Sequence, residues 1–211
     1  IQFCQQSGFV TFLKDHFIQK KSYIRVVESM MINEDQRSFI IDFLKEILNE
    51  AKNPDLSEKE RNEMVQSVKA AVLKTCQPLL LIDQSKFVTF IIENFTSKEM
   101  NDLTDLFKPP VRLIFLLKLR EFLGTEFTDE QKMQTFELLL RFRPTQSEQF
   151  LMENIMDIDI NKAKELSIKY NRIDCQVSIK IYMHQYNEAT QQVGSQIEQN
   201  LLDFVESDSK A

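Results

Sequence analysis

The chain has 211 residues, 43% hydrophobic and 27% charged, with a formal net charge of −6 and a pI of about 5.1. That balance suits a globular chain with a real core. It excludes the basic footprint of a nucleic-acid binder, in which neutralised phosphates supply most of the affinity, and it disfavours attraction to anionic membranes.

The first residue is Ile1, and the sequence reads as a segment of a longer protein. Apolar residues recur at helical spacing along nearly all of it. The spacing predicts helices over 2–19, 23–32, 34–51, 57–76, 83–95, 97–107, 110–123, 128–142, 145–155, 159–170, 173–185 and 188–206. In the third of these, Phe39, Ile40, Phe43, Leu44, Ile47 and Leu48 form one continuous stripe. Val88, Ile91, Ile92 and Phe95 repeat the pattern, as do Met133, Phe136, Leu139 and Leu140.

Start signals precede these stripes. Ser57 with Glu60, Thr128 with Gln131 and Thr145 with Glu148 read as capping boxes, and Asn33 with Gln36 as a weaker one. In such a box a hydroxyl accepts from an early N–H while the longer side chain reaches back. Asp83 and Asp159 read as simple N-caps. Pro54 and Pro144 mark breaks, and Pro109 and Pro110 open a helix where a missing N–H costs nothing. That helix, 110–123, is apolar almost all round and calls for cover on several sides. Loops are short, so consecutive helices run antiparallel.

Only three glycines are present, Gly8, Gly124 and Gly194. Tight β-turns and phosphate-cradling loops both depend on glycine, so the scarcity argues against β-rich folds and nucleotide sites. Cys4, Cys76 and Cys175 are too few and too widely spaced for a disulfide framework, which points to a reducing compartment. The most apolar stretch, Val111–Leu119, is interrupted by Arg112 and Lys118 and is too short to span a bilayer.

Chemistry finds little purchase. His16 and His184 are the only histidines, and no Cys-x-x-Cys occurs, so no metal site is expected. Asp15 and His16 are neighbours, but adjacent residues on a helix point in different directions. Paired carboxylates such as Glu58 with Glu60 and Asp129 with Glu130 sit in first turns, where they complement the helix dipole. Lys20, Lys21 and Arg25 read as a solvated basic cluster, and Arg141 and Arg143 suit a helix C-terminus. No catalytic, cofactor-binding or metal-ligating residue is expected. The last helix is the exception to this plainness. Ala189, Val193, Ile197, Leu201 and Leu202 form a stripe, extended by Phe204 and Val205. Ile197, Leu201 and Phe204 are the candidate partner-binding residues, while Glu188, Glu198, Asp203 and Glu206 argue against membrane insertion.

From about Thr135 to Gln192 the pattern resembles a known family. Ala163, Leu166 and Tyr170 lead to Asp174 and Cys175 and later to Ala189; before them come Phe136, Pro144 and the pair Phe150–Leu151. This resembles the clathrin heavy-chain repeat, and among families carrying it, most closely the vacuolar protein sorting-associated protein eight family, a subunit of the CORVET endosomal tether. The segment Asp105–Pro110 and the apolar helix after it also look like that family. The family's usual glycine falls here at His184, and a common aromatic at Ser178.

The resemblance implies an all-α fold, an α-solenoid of stacked antiparallel hairpins. It would form a single segment over 1–206, loosely matching over 1–108 and repeat-like over 109–192, with a frayed polar tail at 207–211. It implies a non-catalytic scaffold that assembles with other protein subunits of a tethering or coat complex, without nucleic acid or direct membrane insertion. The expected location is cytoplasmic, at the periphery of endosomal or vacuolar membranes. A Rab GTPase would be engaged indirectly, through domains not in this sequence. The family's β-propeller and RING domain do not fit here, because glycine and cysteine are too rare.

Overall fold

The computed structural model describes residues 22–208, with the side chains of Tyr186 and of residues from Phe204 onward left out. The expected helix 2–19, Cys4, Gly8, the Asp15–His16 pair, Lys20 and Lys21 lie outside the described residues. Among the described residues all regular structure is helical, with no strand. The helices are α1 (Tyr23–Ile32), α2 (Glu34–Arg37), α3 (Ile40–Glu50), α4 (Glu58–Ile82), α5 (Gln84–Asn94), α6 (Ser97–Leu106), α7 (Pro109–Leu123), α8 (Asp129–Phe142), α9 (Ser147–Asn154), α10 (Ile160–Lys169), α11 (Ile173–Tyr182) and α12 (Tyr186–Asp208). The chain divides into two compact units, with the division between Phe122 and Leu123.

In the N-terminal unit the 25-residue α4 is the central element, packed by α1, α3, α5 and α6. It starts where the sequence signals it. The Ser57 hydroxyl accepts from the Glu60 N–H, and the Glu60 carboxylate accepts from the Ser57 N–H at 3.1 Å. It buries Met64, Val68, Ala71, Val72, Cys76, Leu79 and Leu80. The helix runs six residues past the predicted end at 76 and contains Pro78. A proline inside a helix costs about 3 kcal/mol. Full burial of Leu79 and Leu80 offsets this, at roughly 1.5–3 kcal/mol for each side chain.

The predicted helix 34–51 is broken into α2 and α3. Asn33 caps α2, but its side chain accepts from Asp35 rather than Gln36. Of the stripe that begins at Phe39, every member from Ile40 to Leu48 is buried, while Phe39 itself stands 61% exposed. Beyond α4, Phe87, Phe107 and Phe115 form a ring cluster. Phe107 and Phe115 lie 4.9 Å apart, and Phe87 meets them edge-on at 6.5 and 6.4 Å. These geometries add to burial through the ring quadrupoles. In α7, Leu113, Phe115, Leu116 and Leu119 are buried, every other residue from 111 to 120 is half-buried, and Phe122 near the end is exposed, so the helix is covered on several sides as its composition calls for. An unpredicted capping box, Thr96 with Glu99, opens α6. Glu99 also binds Lys69 of α4 at 2.7 Å, and this bond holds the Glu99 carboxyl below its ordinary range.

In the C-terminal unit α8 packs against α9 and α10, α9 and α10 each meet α11, and α11 carries α12. Thr128 and Gln131 form the predicted capping box of α8. The Asp159 carboxylate accepts from Asn161 and Lys162 at the start of α10. Thr145 caps nothing: residues 144–146 form a 3-10 turn and α9 begins at Ser147. Two hydrogen bonds account for this. The Ser147 hydroxyl donates back to the Pro144 carbonyl at 2.7 Å, and Glu148 is drawn instead to Ser178 of α11 at 2.8 Å. The core holds Met133, Phe136, Leu139, Leu140, Phe150, Leu151, Ala163, Cys175 and Ile179.

Two turns in this unit use left-handed residues that are not glycine. After α10, Asn171 has φ 51° and the Arg172 N–H reaches the Ser167 carbonyl at 2.8 Å. After α11, His184 has φ 60° and the Gln185 N–H reaches the Lys180 carbonyl at 2.8 Å. This is the helix-ending arrangement in which glycine is favoured. It ends α11 at Tyr182, short of the predicted residue 185.

Candidate interaction surface

Two places in the C-terminal unit gather side chains of interest. The first is a polar seam between α9 and α11. The Ser147 hydroxyl lies 3.5 Å from the Cys175 sulfur, and the Asp174 carboxylate accepts from the Cys175 N–H at 2.9 Å. Arg172 pairs with Asp174, and Ser178 donates to Glu148. Burial opposes ionisation of Asp174, but the Arg172 guanidinium and the hydrogen bonds from Cys175 together outweigh it and hold the carboxyl below its ordinary range. The thiol of Cys175 is fully buried, and burial pushes it up to about 11. The contacts of Ser147 with Cys175 and of Ser178 with Glu148 link α9 to α11. Burial raises Cys76 in the same way.

The expected result is that, in a Cys4→Ser background at neutral pH, neither Cys76 nor Cys175 is alkylated in the native protein while both react in denaturant. Mass spectrometry of the alkylated protein reads this directly. Rapid native labelling of Cys175 would contradict the assignment.

No group of three or more His, Cys, Asp or Glu able to hold a metal ion occurs among the described residues. A cavity of about 330 Å³ is lined by Asp129, Glu130, Glu137, Asp159 and Lys162. Its carboxylates serve other roles: Asp129 and Glu130 sit in the first turn of α8 and Asp159 caps α10. His184 is exposed at its left-handed turn and lies outside the seam. No helix among the described residues is long and apolar enough to cross a membrane.

The second place is the outer side of α11 and α12. Ala189 is buried, but Val193, Ile197, Leu201 and Leu202 are 41%, 54%, 60% and 59% exposed. Of the candidates read from sequence, Ile197 and Leu201 are thus brought together on this open stripe. Phe204 lies further along α12, its side chain outside the described residues. Val177 and Ile181 of α11 join Ala189, Val193, Gly194 and Ile197 to line an open groove of about 460 Å³.

Val177 and Ile181 were not among the sequence candidates. Their signal lies in α11 itself, which is apolar on two faces. Cys175, Ser178 and Ile179 are buried, while Ile173, Val177 and Ile181 recur four residues apart on another face. In the N-terminal unit exposed large apolar residues are spread over several elements, among them Ile32, Phe39, Leu81 and Leu106. Scattered residues of that kind are ordinary, whereas a contiguous stripe is a candidate interaction site.

Gly194 sits in the middle of α12, and a Cβ placed there meets nothing within 4 Å. Glycine inside a helix costs roughly 0.5–1 kcal/mol relative to alanine. Gly194→Ala is therefore expected to stabilise α12 by about that amount, read as a raised helix signal and midpoint in urea. Destabilisation would contradict the open environment of this residue.

Compared with protein-family models, with curated proteins and with solved structures, the chain matches none.

Proposed function

We propose that this chain is a non-catalytic scaffold segment in which antiparallel helical hairpins stack as an α-solenoid, and that it serves an endosomal vesicle-tethering subunit of the CORVET type. Its work is to hold other protein subunits in place at the periphery of endosomal or vacuolar membranes. Contact with a Rab GTPase falls to other domains of such a subunit. The observation that carries the scaffold reading is the exposed apolar stripe Val193–Ile197–Leu201 beside the α11–α12 groove. An apolar surface left open on a charged, acidic chain is an energetic cost unless another surface covers it.

The tethering assignment draws on the order of residues from Thr135 to Gln192, which resembles the clathrin heavy-chain repeat. It gains support from His184. The repeat's usual glycine falls at this position, and here the backbone adopts the left-handed conformation that glycine favours. The polar seam between α9 and α11 supports a structural role, since its thiol is held protonated and out of reach of solvent.

Affinity purification of the tagged chain from cells, followed by mass spectrometry, tests the reading. Recovery of the other tether subunits is expected. Recovery of clathrin-coat or nuclear-pore proteins in their place would move the chain to another helical-repeat scaffold, and recovery of no partner would overturn the proposal.

A further inference from the structure

We infer that the α11–α12 groove receives an amphipathic helix from a partner protein, with an apolar stripe flanked by lysine or arginine. The inference rests on the scaffold reading and names the chemistry of what it holds. The groove has the form that such recognition uses. Its walls are Val177 and Ile181 on one helix and Ala189, Val193 and Ile197 on the other. A visiting helix meets such walls with apolar anchors at i, i+3 or i+4, and i+7. Gly194 is part of the α12 wall and has no side chain, and the space above it is open. An incoming backbone can approach closely there.

Charge selects the occupant. From Tyr186 to Asp208 the sequence carries Glu188, Glu198, Asp203, Glu206 and Asp208, and no lysine or arginine. The remaining polar residues on α12 include Gln191, Gln192, Gln196, Gln199 and Asn200, which are uncharged. On α11 the neighbouring cation is Lys180. Elsewhere the chain balances its acids between elements, as with Lys69 and Glu99, Lys74 and Glu28, and Lys132 and Asp157. α12 offers its carboxylates no cation of its own. Glu198 is exposed on the same helix as the groove residue Ile197. A basic helix therefore gains electrostatic steering here. The same field repels α12 of a second copy and an anionic lipid surface.

The test uses the full chain and a synthetic amphipathic helical peptide with leucines at i, i+3, i+4 and i+7 and flanking lysines. A control peptide carries glutamates in place of the lysines. Fluorescence anisotropy is expected to show the lysine peptide binding at least about tenfold more tightly than the glutamate peptide, with the preference shrinking as salt screens it. Gly194→Leu fills the groove while improving helix propensity, and it should weaken binding of the lysine peptide at least about tenfold without lowering the melting temperature. Glu198→Lys should reduce the preference for the lysine peptide.

Equal binding of both peptides overturns the inference, as does binding indifferent to Gly194→Leu. Self-association of the chain alone that Gly194→Leu abolishes would make a second copy the occupant and also overturn it. The two readings fail separately. Partner subunits recovered equally by the parent and by Gly194→Leu would sink the groove and leave the scaffold standing.

Discussion

Leu116→Asp is expected to unfold the N-terminal unit. Leu116 is fully buried in α7, next to Phe115 of the ring cluster. An aspartate there brings a charge with no partner into an apolar interior, at a cost of several kcal/mol. Typical domain stability is only about 5–15 kcal/mol, so one such charge removes much or all of it. Loss of the cooperative thermal transition by circular dichroism checks the expectation. Phe122→Asp is the matched control on the same helix, because Phe122 is 47% exposed. Its effect should stay within about 0.5 kcal/mol. A Leu116→Asp protein that melts like the parent would show that the core has been misplaced.

The second large effect is Phe136→Ala in the C-terminal unit. Phe136 is fully buried on α8, and truncating a buried phenylalanine costs about 3–5 kcal/mol through lost transfer energy and the cavity left behind. Urea unfolding reads this as a lower midpoint. Leu201→Ala is the informative contrast. Leu201 is 60% exposed, so its truncation should change stability by no more than about 0.5 kcal/mol. The comparison separates the apolar residues that fold this unit from those available to a partner. A Leu201→Ala loss approaching that of Phe136→Ala would place α12's stripe in the core.

The helical build was legible because apolar spacing and hydroxyl caps agreed with each other. Ile40 to Leu48, and Met133 with Phe136, Leu139 and Leu140, are buried as their spacing predicts. Ser57, Thr128, Asp83 and Asp159 cap the helices they precede. The failures have tertiary causes. The predicted helix ends at 76, yet burial of Leu79 and Leu80 carries α4 through Pro78 to Ile82. Thr145 and Glu148 have the spacing of a capping box, but Ser178 of another helix claims Glu148. Local pattern cannot weigh a competitor that arrives from 30 residues away.

Ile197 and Leu201 were legible as a stripe, because four-residue spacing is visible in any helix. Whether that stripe is core or open surface depends on what packs against it. Here Ala189 turns inward against the unit while Val193, Ile197, Leu201 and Leu202 stand exposed. The groove's second wall was hidden in the doubly apolar α11, where Val177 and Ile181 are indistinguishable by composition from the buried Ile179.

The central claim is that the apolar face of α12 is where this chain holds a partner protein. Site-specific photocrosslinking in cells tests it most directly, with a photoreactive residue placed at Ile197 or, as a control, at Ser195, which is exposed on the far side of the same helix from the groove. The account predicts a covalent adduct with a tether subunit from position 197 and little or none from position 195. Equal yields from the two positions, or adducts from 195 alone, would contradict it.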